Sequence, residues 1–192
     1  MLFRSVTPDP PNPGGPPLWI GAISRPATTR AGRLADGFMA TNPTEGSFAR
    51  QVEWAREGLA QVGRDGTGFS LSAHSPTFAW EGDPDDAWEI VRPFLHYVEW
   101  KYDDMDEARA RTGPPPAPPP LSPEKEEALR REALVGPPEV IAAGIQRLAA
   151  LAGGDLHFIA RLYWPGMHPD RQREAMRLFA ETVMPAARGS SA

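Results

Sequence analysis

Pro17-Leu18-Trp19-Ile20-Gly21-Ala22-Ile23-Ser24 is a short apolar run that closes on a small-residue turn and a hydroxyl. About a helix's length later comes Ala35-Asp36-Gly37-Phe38. The first stretch predicts a buried strand over Leu18–Gly21, a tight turn, and then a helix over Thr28–Ala35 with Ala31, Leu34 and Ala35 on one face. Asp36-Gly37 predicts the end of that helix, since glycine accepts the left-handed backbone of a helix C-terminus. Phe38–Ala40 then predicts a second brief strand. Small residues at Gly21 and Ala22 let an anion approach the backbone, and a following helix N-terminus presents unpaired amides to it. Gly21, Ala22, Ile23 and Ser24 are therefore the candidate cofactor-binding residues. The plainer alternative is a simple turn at Gly21 with Ser24 as a helix cap.

The same alternation continues along the chain. Phe48, Val52, Ala55, Leu59 and Val62 recur at helical spacing, and the glycines between Gly63 and Gly68 end that helix. Phe69–His74 alternates, with Phe69, Leu71 and Ala73 on one side and Ser70, Ser72 and His74 on the other. Asp83–Met105 predicts a long amphipathic helix whose buried stripe is Trp88, Val91, Leu95, Val98, Tyr102 and Met105. Val140, Ile141, Ile145 and Leu148 mark another helix, ended by Gly153-Gly154. Leu156–Trp164 is the clearest strand, with Phe158, Ala160 and Leu162 opposed to His157, Ile159, Arg161 and Tyr163. A last helix begins near Pro169, carries Met176, Phe179 and Val183 on its buried stripe, and is expected to stop at Pro185. Strand–helix units in this order predict an α/β fold with a parallel sheet, in amount half of a (β/α)8 barrel.

Composition bounds the partners. The chain has 192 residues, 41% of them hydrophobic and 23% charged, enough for one domain with a substantial core. A formal charge of −5 gives no electrostatic reason to expect nucleic acid or an anionic membrane. The absence of cysteine removes disulfides, thiolate metal sites and a cysteine nucleophile. No apolar run suits a signal peptide or a membrane span, so a cytoplasmic location is expected. The 23 prolines cluster: they make residues 1–15 an extended segment, and Pro114–Pro120 a stiff surface insertion of polyproline type. The domain is expected over 16–188, with a disordered tail at 189–192.

Few side chains suggest chemistry. Arg161 and Tyr163 fall near the C-terminal end of the last strand, on the side expected to face the barrel interior, where such barrels place their active sites. An interior arginine faces either an anionic substrate or cofactor group, or a carboxylate in a salt bridge. His74 holds a similar position and Trp164 opens the loop above, so His74, Arg161, Tyr163 and Trp164 form the candidate substrate pocket. His96 and His168 lack the spacing of a metal site, and no metal is expected. Asp103-Asp104-Met105-Asp106-Glu107 reads as a solvated charge run with Met105 on the buried face. Phosphate-loop, zinc-protease and nucleophile-elbow motifs are absent.

Pro17-Leu18-Trp19-Ile20-Gly21, Ala35-Asp36-Gly37, Val135-Gly136-Pro137-Pro138-Glu139, Asp155-Leu156-His157-Phe158, Trp164-Pro165-Gly166-Met167 and Phe179-Ala180-Glu181 with Val183-Met184-Pro185 occur in that order. Together they resemble the C-terminal half of the bacterial luciferase-like flavin-dependent monooxygenases. The family more often shows a Gly-Gly pair where this chain has Gly21-Ala22. The resemblance implies a reduced flavin that reacts with oxygen: FMN supplied by a reductase, or a deazaflavin coenzyme in sister groups. It also implies a small organic substrate, and flavin phosphate held by the loop after Leu18–Gly21. The strands that carry most of the family's catalytic side chains have no counterpart here, so the catalytic residues are unassigned. A truncated or split form is expected, completed by a complementary N-terminal half or by self-association. The competing expectation is a catalytically silent remnant or interaction module.

Overall fold

The computed structural model describes residues 15–107, 113–114 and 116–189. The expected extended segment 1–15 and the tail 189–192 lie almost entirely outside them. Strands and helices alternate as β1 (Trp19–Gly21), α1 (Arg25–Leu34), β2 (Gly37–Thr41), α2 (Glu45–Gln61), β3 (Ser70–Ala79), α3 (Pro84–Glu107), α4 (Pro123–Glu132), β4 (Leu134–Gly136), α5 (Pro138–Ala152), β5 (His157–Arg161), α6 (Pro169–Leu178), a π-helical turn (Phe179–Val183) and α7 (Met184–Arg188). All strand pairings are parallel. The four strands expected from the sequence lie side by side as β1-β2-β3-β5, and β4 pairs only with Thr77–Ala79 of β3. The protein is thus a partial (β/α)8 barrel, with β1 and β5 each paired on one side among the described strands.

Two faces of this sheet have different fates. Phe38, Ala40 and Ala73 are buried against Phe48, Val52 and Ala55 of α2 and Leu148 of α5. Phe158, Ala160 and Leu162 pack on the α5 and C-terminal helix side. The interior face is left to Trp19, Met39, His74, Ile159 and Arg161, which alternate with those residues. Ile20 shares a register with Phe38 and packs on the helix side.

Close helix packing fixes α1. A Cβ on Gly32 would collide with the Ala55 carbonyl oxygen and stand 2.9 Å from the Leu59 amide nitrogen. A Cβ on Gly58 would collide with the Thr29 carbonyl oxygen and stand 3.2 Å from the Gly32 Cα. Backbone therefore touches backbone where the two helices cross, and Arg64 ties the end of α1 by donating to the carbonyls of Gly32 at 3.0 Å and Ala35 at 2.8 Å.

Several sequence expectations are corrected. Helix α1 starts at Arg25, directly after Ser24, and Leu34 is exposed. Its C-terminal residue Ala35 is extended rather than left-handed, and Gly37 belongs to β2. Glycine is required at Gly37 for another reason: the Trp19 ring lies on it, 2.8 Å from where a Cβ would stand. Strand β3 runs five residues beyond His74, from Ser75 to Ala79, and passes through Pro76. The Asn42 amide donates to the His74 carbonyl at 2.7 Å, and β2 pairs no further. The N–H that Pro76 lacks would have pointed past that end, so no ladder bond is lost. In α3 the stripe holds for Trp88, Val91 and Leu95, but Tyr102 and Met105 are exposed. Asp104 is buried instead and pairs with Lys101 at 2.7 Å. Elements α4 and β4 have no counterpart in the expected sequence pattern; Ser122 caps α4 by accepting from the Lys125 amide.

The C-terminal helix does not stop at Pro185. Proline lacks an N–H and its ring crowds the carbonyl four residues back. The chain widens by one residue over Phe179–Val183, where the Met184 amide donates to the Phe179 carbonyl, and continues to Arg188. This keeps Phe179 and Val183 buried on α5.

Candidate functional site

Because every strand is parallel, the loops after β1, β3 and β5 open at one end of the sheet. The Gly21–Ser24 turn lies there. Ser24 occupies the N-cap of α1 with extended backbone, yet its hydroxyl makes no capping hydrogen bond. The turn carries no competing acid in the first helical turn, and Arg25 is drawn aside by Glu57 at 3.0 Å. Pro26 has no amide hydrogen, and the Thr28 amide donates to the Ser24 carbonyl at 2.9 Å. The Ala22 amide is also spent, on the Met39 carbonyl at 3.2 Å. The donors left facing out are the Ser24 hydroxyl and the remaining amides from Ile23 into the first turn. Ile23 itself is exposed, and Gly21 leaves room beside the Met39 side chain.

His74 and Arg161 meet across the β3–β5 pair. His74 is opposite Ile159 and Pro76 is opposite Arg161, so the two side chains are diagonal neighbours on the interior face. Burial pushes the His74 imidazole below its ordinary pKa, and the nearby Arg161 charge adds to the effect. Burial likewise lowers Arg161, against the opposing pull of Glu99 and Tyr102 on α3. The Arg161 guanidinium lies 5.9 Å from the centre of the Trp164 ring. Glu132, at the end of α4, is held above the usual carboxylate range by burial first and by Glu99 second, with Arg131 opposing.

Trp164 is 1% exposed and packs edge-on against Phe78 at 6.1 Å. Its indole N–H donates to the Thr77 carbonyl at 3.2 Å, and its backbone amide donates to the Gln172 side chain at 2.9 Å. It is therefore a fixed wall behind Arg161. Tyr163 lies beyond the end of β5 and is 63% exposed, turned away from that cluster of buried rings. At the opposite end of the interior face, Trp19 packs edge-on against His157 at 5.2 Å and covers Gly37. A cleft of about 510 Å³ between the end of β3 and α6, lined by Trp80, Glu81, Arg171 and Glu174, contains none of the sequence-predicted site residues.

Sequence reasoning missed Glu99, Tyr102 and Glu132. Glu99 and Tyr102 sit on α3 and Glu132 on α4, both between β3 and β5 in the chain, and only folding brings Glu99 and Tyr102 within electrostatic reach of Arg161 and Glu132 within reach of Glu99. No motif or spacing marks Glu99 or Glu132, and Tyr102 carries only the helical spacing of the stripe expected for α3.

The profile of the luciferase-like monooxygenases matches residues 3–155. The chain belongs to the luciferase-like monooxygenase family. Solved structures agree on the fold. The coenzyme F420 dependent tetrahydromethanopterin reductase from Methanopyrus kandleri superposes with a TM-score of 0.60 at 16% identity, over 88% of this chain and 50% of that one. A monooxygenase from Streptomyces bottropensis gives 0.58 at 18% identity, over 89% and 48%. The oxygenating constituent of 3,6-diketocamphane monooxygenase from the CAM plasmid of Pseudomonas putida, solved with FMN, gives 0.56 at 19%, over 90% and 49%. The chain spans about half the length of each of these structures. No curated protein matches it. Among the described residues no helix is long and apolar enough to cross a membrane.

Proposed function

We propose that this protein is the half of a luciferase-like oxidoreductase that anchors a reduced flavin-type cofactor, FMN or its deazaflavin analogue, and walls the substrate pocket. The carrying observation is that two separate features, the uncommitted Ser24 turn and the His74–Arg161–Trp164 group, open at one end of a parallel sheet. The Ser24 turn fits a cofactor phosphate: it offers a free hydroxyl, backbone amides at the positive end of α1, and no acid in the first turn. A bound reduced flavin would supply the electrons for reaction with oxygen or for hydride transfer. Ser24 and the turn amides would hold its phosphate. Trp164 would exclude water from one side of the pocket, and His74, kept neutral by burial, would offer a hydrogen bond without a second positive charge.

Turnover in this reading needs the missing wall, from a complementary half or a second copy, because β1 and β5 each keep one unpaired edge among the described strands. Titration of the purified chain with reduced and oxidised FMN, with its size followed by light scattering, tests both parts. Saturable flavin binding with a concentration-dependent rise in mass is expected. Absence of flavin binding at any oligomeric state would refute the anchoring role. Robust oxygenation by a monomer would refute the need for a second wall.

A further inference from the structure

We infer that Arg161, with His74 beside it, is a binding site for the oxyanion of the substrate, so that the small molecule turned over carries a carboxylate, sulfonate or phosphate group. The inference rests on the proposed flavin-anchoring role, which assigns the cofactor phosphate elsewhere. Arg161 offers the whole fork of a guanidinium, and among the described residues it makes no hydrogen bond and no ion pair within 4.0 Å. Its Nε is shut away from solvent with no acceptor. Near it lie the Trp164 ring, the Pro76 backbone opposite and the imidazole of His74. Glu99 is the carboxylate that acts on it, and it does so from beyond ion-pair distance. A half-buried cation without a partner costs stability, whereas a bidentate oxyanion is the chemistry that satisfies such a fork.

The cofactor phosphate does not account for it. The Ser24 turn follows β1 and Arg161 ends β5, the two outer strands of the β1-β2-β3-β5 order. With the cofactor phosphate assigned to the Ser24 turn, an anion at Arg161 is a second anionic group at the open end.

The test is thermal unfolding of the full chain at constant ionic strength, with inorganic phosphate and methanesulfonate as titrants, and FMN binding measured separately by flavin fluorescence. Wild type is expected to gain Tm with either anion, as mass action requires of a ligand that binds the folded state. Arg161→Gln is expected to start at or above the wild-type Tm and to lose about 10-fold or more in methanesulfonate affinity. Its FMN affinity should stay within about 2-fold of wild type, a difference of about 0.4 kcal/mol. Arg161→Lys should keep part of the anion response, and Glu99→Gln should strengthen it. Ser24→Asp should lose FMN and keep the response to methanesulfonate. Three outcomes overturn the inference: an undiminished methanesulfonate response in Arg161→Gln, a lowered Tm or failure to fold of that variant, or loss of FMN along with methanesulfonate. Failure of wild type to bind FMN, with the Arg161-dependent anion response intact, would overturn the flavin role alone.

Discussion

Replacing Gly32 by alanine should destabilise the protein, although alanine is the better helix former. Gly32 lies inside α1 with ordinary helical backbone, so the substitution gains about 1 kcal/mol of helix propensity. Against this, the new methyl would meet the Ala55 carbonyl oxygen, the Leu59 amide nitrogen at 2.9 Å and the Ala55 carbonyl carbon at 3.1 Å. These are backbone atoms of α2 and have no rotamer to give. Relief requires α1 to move off α2, which opens the packing of Ala31 against Val52 and Ala55. Overpacking of this kind costs typically 1–3 kcal/mol, and more where the obstacle is rigid. A net loss of about 1–2 kcal/mol is expected, or a Tm lower by roughly 2–8 °C for a chain of this size. Gly46→Ala is the control, since its methyl would meet only the Arg50 Nη1 at 3.9 Å. Urea unfolding at constant m-value measures both. Because α1 carries Ser24 at its N-cap, the shift should also weaken FMN binding in Gly32→Ala. A Gly32→Ala protein as stable as wild type would refute the backbone-on-backbone account of this crossing.

Ser24→Asp should abolish measurable FMN binding in a fluorescence titration, because a carboxylate would occupy the helix N-terminus meant for the phosphate; Ser24→Ala should cost less, since the amides remain. His74 is held below its ordinary pKa, so the unfolded chain binds more protons between the two values and stability should fall as pH drops from about 6.5 through the folded pKa. His74→Gln should remove that part of the acid loss in chemical unfolding at pH 5 against pH 7.5. Trp164→Ala should cost about 3–5 kcal/mol in the same assay, because a fully buried ring and its bond to the Thr77 carbonyl are lost together.

The sequence by itself determined the parallel strand–helix order and which face of β3 and β5 meets the helices. Alternation such as Phe158, Ala160 and Leu162 against His157, Ile159 and Arg161 encodes a sheet with one apolar side, and that local pattern suffices. It also placed the turn at Gly21–Ser24, since small residues before a helix leave few other conformations open. Tertiary structure decided the rest. The alternating pattern ends the expected strand at His74, yet β3 runs on through Pro76 because the end of β2 removes the need for its N–H. Pro185 argued for a helix end until burial of Phe179 and Val183 carried the chain through as a π turn. Tyr102 and Met105 kept the helical period of α3 but ran past the surface that Trp88 and Leu95 cover, because periodicity fixes a face and not how far its partner extends. For the same reason the surroundings of Arg161 were not legible. Glu99 comes from α3, 62 residues upstream, and the sequence left both a salt bridge and an anion site open. Only the fold sets that carboxylate beyond pairing distance and leaves the guanidinium with Trp164 and His74.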